Sequence, residues 1–135
     1  MVMLDELETR GFERISIAPG VEKRILFLDL ADQKLLQLTL KGTLTKRDVG
    51  MLMGIAPGTV SRRIRRLMVR LHDPMVAALV ESGELLPELH REVGLAFFLR
   101  RWTIARIARD YEISRHEVGL MLQYIRGWNG AMRKP

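Results

Sequence analysis

The sequence predicts an all-α protein built from two tandem small helical bundles, each containing a helix-turn-helix. Aromatic residues make up only 6% of the chain, and Leu, Met, Arg, Ala and Glu, which favour helices, are abundant. β-Branched residues never alternate with polar ones over a long stretch, so strands are not expected. In addition, a pattern of short helix, tight turn and longer helix occurs twice along the chain.

Three helices are predicted within the first 42 residues. A short amphipathic helix from about Val2 to Arg10 precedes an extended arm that ends at Pro19 and Gly20. Apolar residues then recur at helical spacing from position 21, with a break near residues 29–32. A glycine at position 42, a common residue just after a helix, ends this stretch.

The first helix-turn-helix is predicted from caps and breaking residues. Thr45 is a good N-cap, and Asp48 stands where the acid of a capping box belongs. Gly54 ends this helix, and after a short turn Pro57 begins a longer one that continues to about Asp73.

Caps and helix-breaking residues also predict the helices of the second half of the chain. Pro74 begins a helix that ends at Gly83, and a helix from Pro87 to Arg101 follows. The next two helices are capped by the residues Thr103 and Ser114. The chain is therefore expected to contain an N-terminal helix and arm, a first helix-turn-helix unit and a second such unit, at residues 1–20, 21–73 and 74–135.

A shift of 58 residues relates the two patterns. Thr45 then falls on Thr103, Gly50 on Ala108, and the apolar positions also match. Literal identities are few, so the repeat is inferred from caps and hydrophobic positions, and chance similarity between helical hairpins is the alternative. The other superposed pairs are Val49 and Ile107, Met53 and Tyr111, Ile55 and Ile113, Val60 and Val118, and Ile64 and Leu122.

Composition excludes several functional classes. The chain has no cysteine, which removes disulfides and thiolate chemistry, and three isolated histidines (His72, His90 and His116) that favour no metal site. The longest apolar run has six residues, from Met75 to Val80, whereas a bilayer span needs about 20. With an acidic N-terminus in place of a signal peptide, we expect a cytoplasmic protein with no membrane association. No catalytic motif occurs, so neither an enzyme nor a cofactor is expected.

The net charge of +6 is concentrated in the middle of the chain. Residues 45–80 contain seven basic and two acidic residues, whereas residues 1–44 contain six and seven and residues 81–135 nine and seven. No acid lies between Asp48 and Asp73. A helix with five arginines and no carboxylate repels itself, and a polyanion such as duplex DNA relieves that repulsion. The alternative is that these arginines only solvate an exposed face.

Helical geometry, at 100° per residue, assigns the side chains of the longer helix to two faces. Ile64, Leu67 and Leu71 lie on the side of Val60 and are expected to face inward. Outward residues early in a recognition helix contact base edges, and flanking basic residues contact phosphates. The residues expected at base edges are Thr59, Ser61, Arg62 and Arg65. Those expected at phosphates are Lys46, Arg47, Arg63 and Arg66.

Residues 21–72 resemble the C-terminal domain of bacterial sigma factors, which binds the −35 promoter element. The resemblance covers a leading helix, a second helix, a glycine before the motif and the run TVSRRIRRL, with a looser second copy at 87–126. It implies a helix-turn-helix fold and double-stranded DNA as the partner, with RNA polymerase as a further partner. By this resemblance, Lys46 and Arg47 match the start of the first motif helix, and the recognition-helix positions are matched by Thr59, Ser61, Arg62, Arg63, Arg65 and Arg66. Residues 1–20 have no room for the polymerase-binding and promoter-melting domains, so a stand-alone sigma-like regulator is expected.

The second copy is less similar to a DNA-binding motif. It has Glu112 in the place of Gly54, and its last helix carries few arginines. Three roles stay open: packing or homodimerisation, a second DNA contact through Arg106, Arg109 and Arg115, or another partner. For the whole chain, the alternative function is an adaptor that binds RNA polymerase or another regulator without contacting DNA.

Overall fold

The computed structural model of the protein describes residues 18–133, and over this range it contains eight α-helices and no strand. The predicted all-α class is therefore confirmed. The described chain forms two compact units, which divide between His72 and Asp73. The predicted helix from Val2 to Arg10 lies outside the described residues. No helix in the described part of the chain is long and apolar enough to cross a bilayer.

The first unit packs four helices around one apolar core. The predicted break after the first of them lies at residues 26–29, where the Gln33 side chain donates hydrogen bonds to the carbonyls of Leu26 and Leu28, over 3.1 and 2.7 Å. The helices are α1 (Val21–Ile25), α2 (Leu30–Leu40), α3 (Lys46–Met53) and α4 (Pro57–Leu71). Its fully buried apolar residues are Val21, Leu35, Leu36, Val49, Val60, Leu67 and Leu71.

The helices α3 and α4 form a tight pair, here called the first helix pair. Thr45 and Asp48 make the predicted capping box, and Gly54 ends α3 in the left-handed conformation, with φ of 72°. The N–H of Ile55 donates to the carbonyl of Gly50 over 2.9 Å. A Cβ at Gly50 would lie 2.5 Å from the Ile55 carbonyl oxygen, so only a glycine fits this turn unchanged.

A buried arginine on α1 holds the C-terminal end of α4. The Nη1 of Arg24 donates to the carbonyl of Leu71 over 2.8 Å, and the arginine is 9% exposed. The last carbonyls of a helix have no partner within the helix, and they carry the negative end of its dipole. A cation at this point therefore caps α4 and stabilises its position against α1.

The second unit also contains four helices. They are α5 (Pro74–Ser82), α6 (Glu88–Gly94), α7 (Ile104–Asp110) and α8 (Arg115–Arg133), with a short 3-10 turn at Gly83–Leu85. The predicted helix from Pro87 to Arg101 is α-helical over Glu88–Gly94 and continues as a π-helical turn over residues 95–99. Arg91 on α6 donates to the carbonyls of Leu79 and Val80 and so caps the end of α5.

The turn between α7 and α8, here the second helix pair, shares three features with the first: the threonine N-cap, the hydrogen bond across the turn and the left-handed residue. Thr103 accepts a hydrogen bond from the N–H of Arg106, as predicted for an N-cap. The N–H of Ile113 donates to the carbonyl of Ala108 over 3.0 Å, which is the bond of the first pair shifted by 58 residues. Glu112, with φ of 55°, adopts the left-handed conformation that a glycine adopts in the first pair.

Gly50→Ala is expected to lower the free energy of unfolding by about 1–3 kcal/mol, because the new methyl group overlaps a backbone oxygen that cannot move without opening the turn. Gly58→Ala is the control in the same unit, since its Cβ would approach nothing closer than 3.9 Å. It is expected to raise that free energy by about 0.5–1 kcal/mol. Urea unfolding followed by circular dichroism measures both values. Equal stability of the two variants would contradict the role given to Gly50.

Glu112→Gly is expected to stabilise the protein by about 1 kcal/mol, because a side chain in the left-handed region costs conformational energy that glycine does not. The shift in thermal unfolding temperature measures it. Glu112→Ala removes the same carboxylate but keeps a Cβ, so it controls for charge. If both variants change stability equally, backbone strain at this turn is not the cause.

Candidate nucleic-acid interface

Helix α4 separates into an apolar face and a basic face. Val60, Ile64 and Leu67 are buried in the core, whereas Arg62 and Arg65 are exposed to solvent. Arg66 is also exposed, and Thr59 is partly exposed near the start of the helix. Three guanidinium groups therefore project from one side of a helix whose other side is fixed by packing.

The first turn of α4 positions the side chain of Arg62. Its Nη2 donates a hydrogen bond to the Thr59 hydroxyl over 3.1 Å. Its Nη1 lies over Gly58, 3.9 Å from where a Cβ would stand. Long helical side chains point back toward the N-terminus of their helix. The charge of Arg62 is therefore located over the first turn of α4.

The other two exposed arginines have no anionic partner in the part of the chain that the structure describes. Neither Arg65 nor Arg66 forms an ion pair with any residue from 18 to 133. Arg62 and Arg66 are four residues apart on one helix face, a spacing at which like charges destabilise by about 0.2–0.5 kcal/mol. This face therefore keeps its positive charge available to an external anion.

Arg63 differs from its neighbours, because it is ion-paired within the first unit. Its Nη2 lies 2.8 Å from the Oδ1 of Asp32 on α2, and both side chains are partly buried. The predicted phosphate contact at Arg63 would therefore have to compete with an existing carboxylate. The sequence alone did not identify Asp32 as a partner, since it precedes Arg63 by 31 residues.

The predicted outward position of Ser61 is wrong. Its side chain is 4% exposed, and its Oγ has no hydrogen-bond partner among the described residues. Ser61 lies about 100° around the helix from Val60, at the boundary between the two faces. Packing of the first unit covers this boundary, so Ser61 cannot contact a base edge in this structure.

The start of α3 supplies two further basic residues. Arg47 is exposed and Lys46 is partly exposed. Arg47 borders an open depression of about 530 Å³ between α3 and the first residue of α4. The residues that line this depression are Arg47, Gly50, Met51, Gly54, Ile55 and Pro57. Arg47 is thus placed beside the N-terminal end of α4.

The arginines of α7 are engaged in contacts within the second unit. The guanidinium of Arg106 stacks 3.7 Å above the ring of Trp102 and lies 3.5 Å from Asp110, and Arg109 lies 3.0 Å from the same carboxylate. The pKa of Asp110 is lowered, mainly by the hydrogen bond from Arg109. Arg115, at the start of α8, is exposed. These three residues do not form a row like that of α4.

The outward positions of α8 also differ in chemistry from those of α4. The 58-residue shift places Leu120, Gln123 and Tyr124 at the positions of the three exposed arginines of α4. Leu120 is 50% exposed, and Tyr124 is 56% exposed and forms a T-shaped contact with His90, 5.0 Å between ring centroids. The second helix pair therefore has the turn of the first without its basic face.

Comparison of the chain with protein-family models, with curated proteins and with solved structures found no match. Across residues 18–133, no group of three His, Asp or Glu side chains is placed to hold a metal ion. The geometry of α4 and its neighbours is therefore the basis for a functional proposal.

Ser61→Ala is expected to leave the helix content unchanged and to raise the free energy of unfolding by up to about 1 kcal/mol, because it removes a buried hydroxyl that lacks a partner. Thr39→Val is the comparison, since the buried hydroxyl of Thr39 does donate, to the Leu35 carbonyl over 2.8 Å. Urea unfolding of both variants measures the difference. A loss of stability in Ser61→Ala would mean that this hydroxyl has a partner.

Proposed function

We propose that this protein is a sequence-specific, double-stranded DNA-binding transcription regulator of the sigma-like helix-turn-helix type. In this proposal α4 lies in the major groove as the recognition helix. The observation that carries it is the exposed face of Arg62, Arg65 and Arg66, which has no carboxylate partner among the described residues, on a helix fixed by the close turn at Gly50.

The geometry supports different roles for these side chains. Thr59 and Arg62 lie on the first half of α4 and Arg65 lies just past its middle, and this part of a recognition helix approaches the bases when the helix enters the groove by its N-terminal end. Arg66, one turn after Arg62, and Arg47, beside the start of α4, are better placed for phosphates. The N-terminus of α4 has no side-chain cap, so its positive dipole end also favours a phosphate.

The same proposal places the protein in the cytoplasm, where it has access to the nucleoid. RNA polymerase is a further proposed partner, because a sigma-like module acts at promoters. No cofactor is required for this function.

A second candidate is an adaptor that binds RNA polymerase or another regulator and does not contact DNA. The exposed Leu120 and Tyr124 on α8 favour it, since apolar side chains at these positions suit a protein surface better than a phosphate backbone. The two candidates differ in one property, which is binding of the whole chain to duplex DNA.

The double variant Arg62→Ala with Arg65→Ala is expected to lose at least about 30-fold in affinity for a selected duplex, since each base contact contributes about 1–3 kcal/mol. Duplexes are first enriched from a random pool with the unaltered chain, and affinities are then measured by fluorescence anisotropy. Lys23→Ala with Lys34→Ala is the matched control. Both lysines are exposed on α1 and α2, so this variant removes the same charge outside the α4 face.

The control variant is expected to keep its affinity for the enriched duplex within a few-fold. Affinity of the unaltered chain is expected to fall with salt, with a slope of about −0.9 per phosphate contacted in a plot of log K against log salt concentration. No enrichment of any duplex at low salt would reject DNA binding and favour the adaptor. Equal losses in the two double variants would reject α4 as the recognition helix.

A further inference from the structure

The hydrogen bond between Arg62 and Thr59 spans the first turn of α4. An exposed arginine side chain ordinarily samples many rotamers, and restricting it costs free energy on binding. The Thr59 hydroxyl accepts from Nη2 over 3.1 Å, and this bond within the helix restricts that freedom. Arg62 differs in this respect from Arg65 and Arg66, for which the structure gives no such hydrogen bond within residues 18–133.

The bond to Thr59 leaves the recognition capacity of the guanidinium intact. A guanidinium has five N–H donors, arranged as two parallel pairs and one further N–H. Nη2 contributes one hydrogen to each pair, so donating one of them to Thr59 leaves the other pair complete. A parallel pair of N–H donors matches the O6 and N7 acceptors of guanine in the major groove and no other base.

The second helix pair lacks both members of this interaction. At the positions equivalent to Thr59 and Arg62 it has Glu117 and Leu120. Glu117 takes part in the cap of α8, in which its N–H donates to the Ser114 hydroxyl. The bracing hydroxyl and the braced arginine therefore occur together, in the pair that carries the basic face.

We propose that Arg62 binds one guanine of the target site through two hydrogen bonds, and that Thr59 is a positioning residue which sets the selectivity of that contact. This rests on the proposed function, because it requires α4 to enter the major groove. The Thr59 hydroxyl determines discrimination at one base pair, while the phosphate contacts determine the overall affinity.

The experiment uses the duplex enriched with the unaltered chain and replaces its guanines singly with 7-deazaguanine, which lacks the N7 acceptor. One replacement is expected to weaken binding of the unaltered chain by about 5- to 100-fold. The loss of affinity on this replacement is here called the 7-deazaguanine penalty. At that guanine, Arg62→Lys is expected to show a much smaller penalty and the same dependence of affinity on salt, because lysine keeps the charge without the paired donors. Arg65→Lys is the matched control and is expected to keep the penalty there.

Substitutions at position 59 then test the bracing role. Thr59→Val keeps the shape of the side chain without the acceptor, and it is expected to reduce the 7-deazaguanine penalty several-fold. Thr59→Ser keeps the hydroxyl and is expected to retain the penalty. The helix content is expected to be the same in both variants. The readout is the ratio between the affinities for the guanine and the 7-deazaguanine duplex, which a general loss of binding would not change.

The outcomes distinguish this inference from the proposed function. If the chain enriches a duplex but no guanine penalty depends on Arg62, or if Thr59→Val discriminates as well as Thr59→Ser, the inference is wrong and DNA binding stands. If the chain enriches no duplex at all, both are wrong.

Discussion

The close contact between Gly50 and the carbonyl of Ile55 is the constraint on which the first unit depends. Without a side chain at position 50, the turn folds back onto α3 and the N–H of Ile55 reaches the Gly50 carbonyl. This places the start of α4 directly against α3 and directs Val60 into the core. Which residues of α4 face solvent follows from that placement, because helical geometry then leaves no freedom in the remaining positions.

Comparison of the two helix pairs distinguishes the features that form the turn from the side chains that form the exposed surface. The threonine N-cap of the first helix, the bond across the turn and the left-handed residue recur after 58 residues, with Ala108 in place of a glycine and Glu112 in a conformation that costs energy. The outward positions carry no such similarity: the places of the three exposed arginines of α4 are taken on α8 by Leu120, Gln123 and Tyr124. The two pairs therefore share the backbone geometry of the turn but differ in the chemistry of their exposed side chains.

Features set by neighbouring residues could be predicted from the sequence, and features set by distant ones could not. The capping box at Thr45, the end of α3 at Gly54 and the start of α4 at Pro57 all depend on a few adjacent residues, and each occurs as predicted. The pairing of Arg63 with Asp32 depends on how α2 packs against α4, and the burial of Ser61 depends on how the rest of the first unit packs around α4. Helical angles alone gave no information on that packing, so both required the structure.

The hydrogen bond from Arg24 to the carbonyl of Leu71 restricts the rotation of α4 about its own axis. A slip of one residue would turn the whole helix by about 100° and would move Arg62 from the outer face to its edge. The apolar contacts of Val60 and Leu67 oppose such a slip along the helix, and the arginine fixes the final carbonyl at its end. Because α4 is held both at the turn and at its last residue, its rotation about its own axis is fixed. That rotation would determine where along a ligand the side chains of α4 make contact.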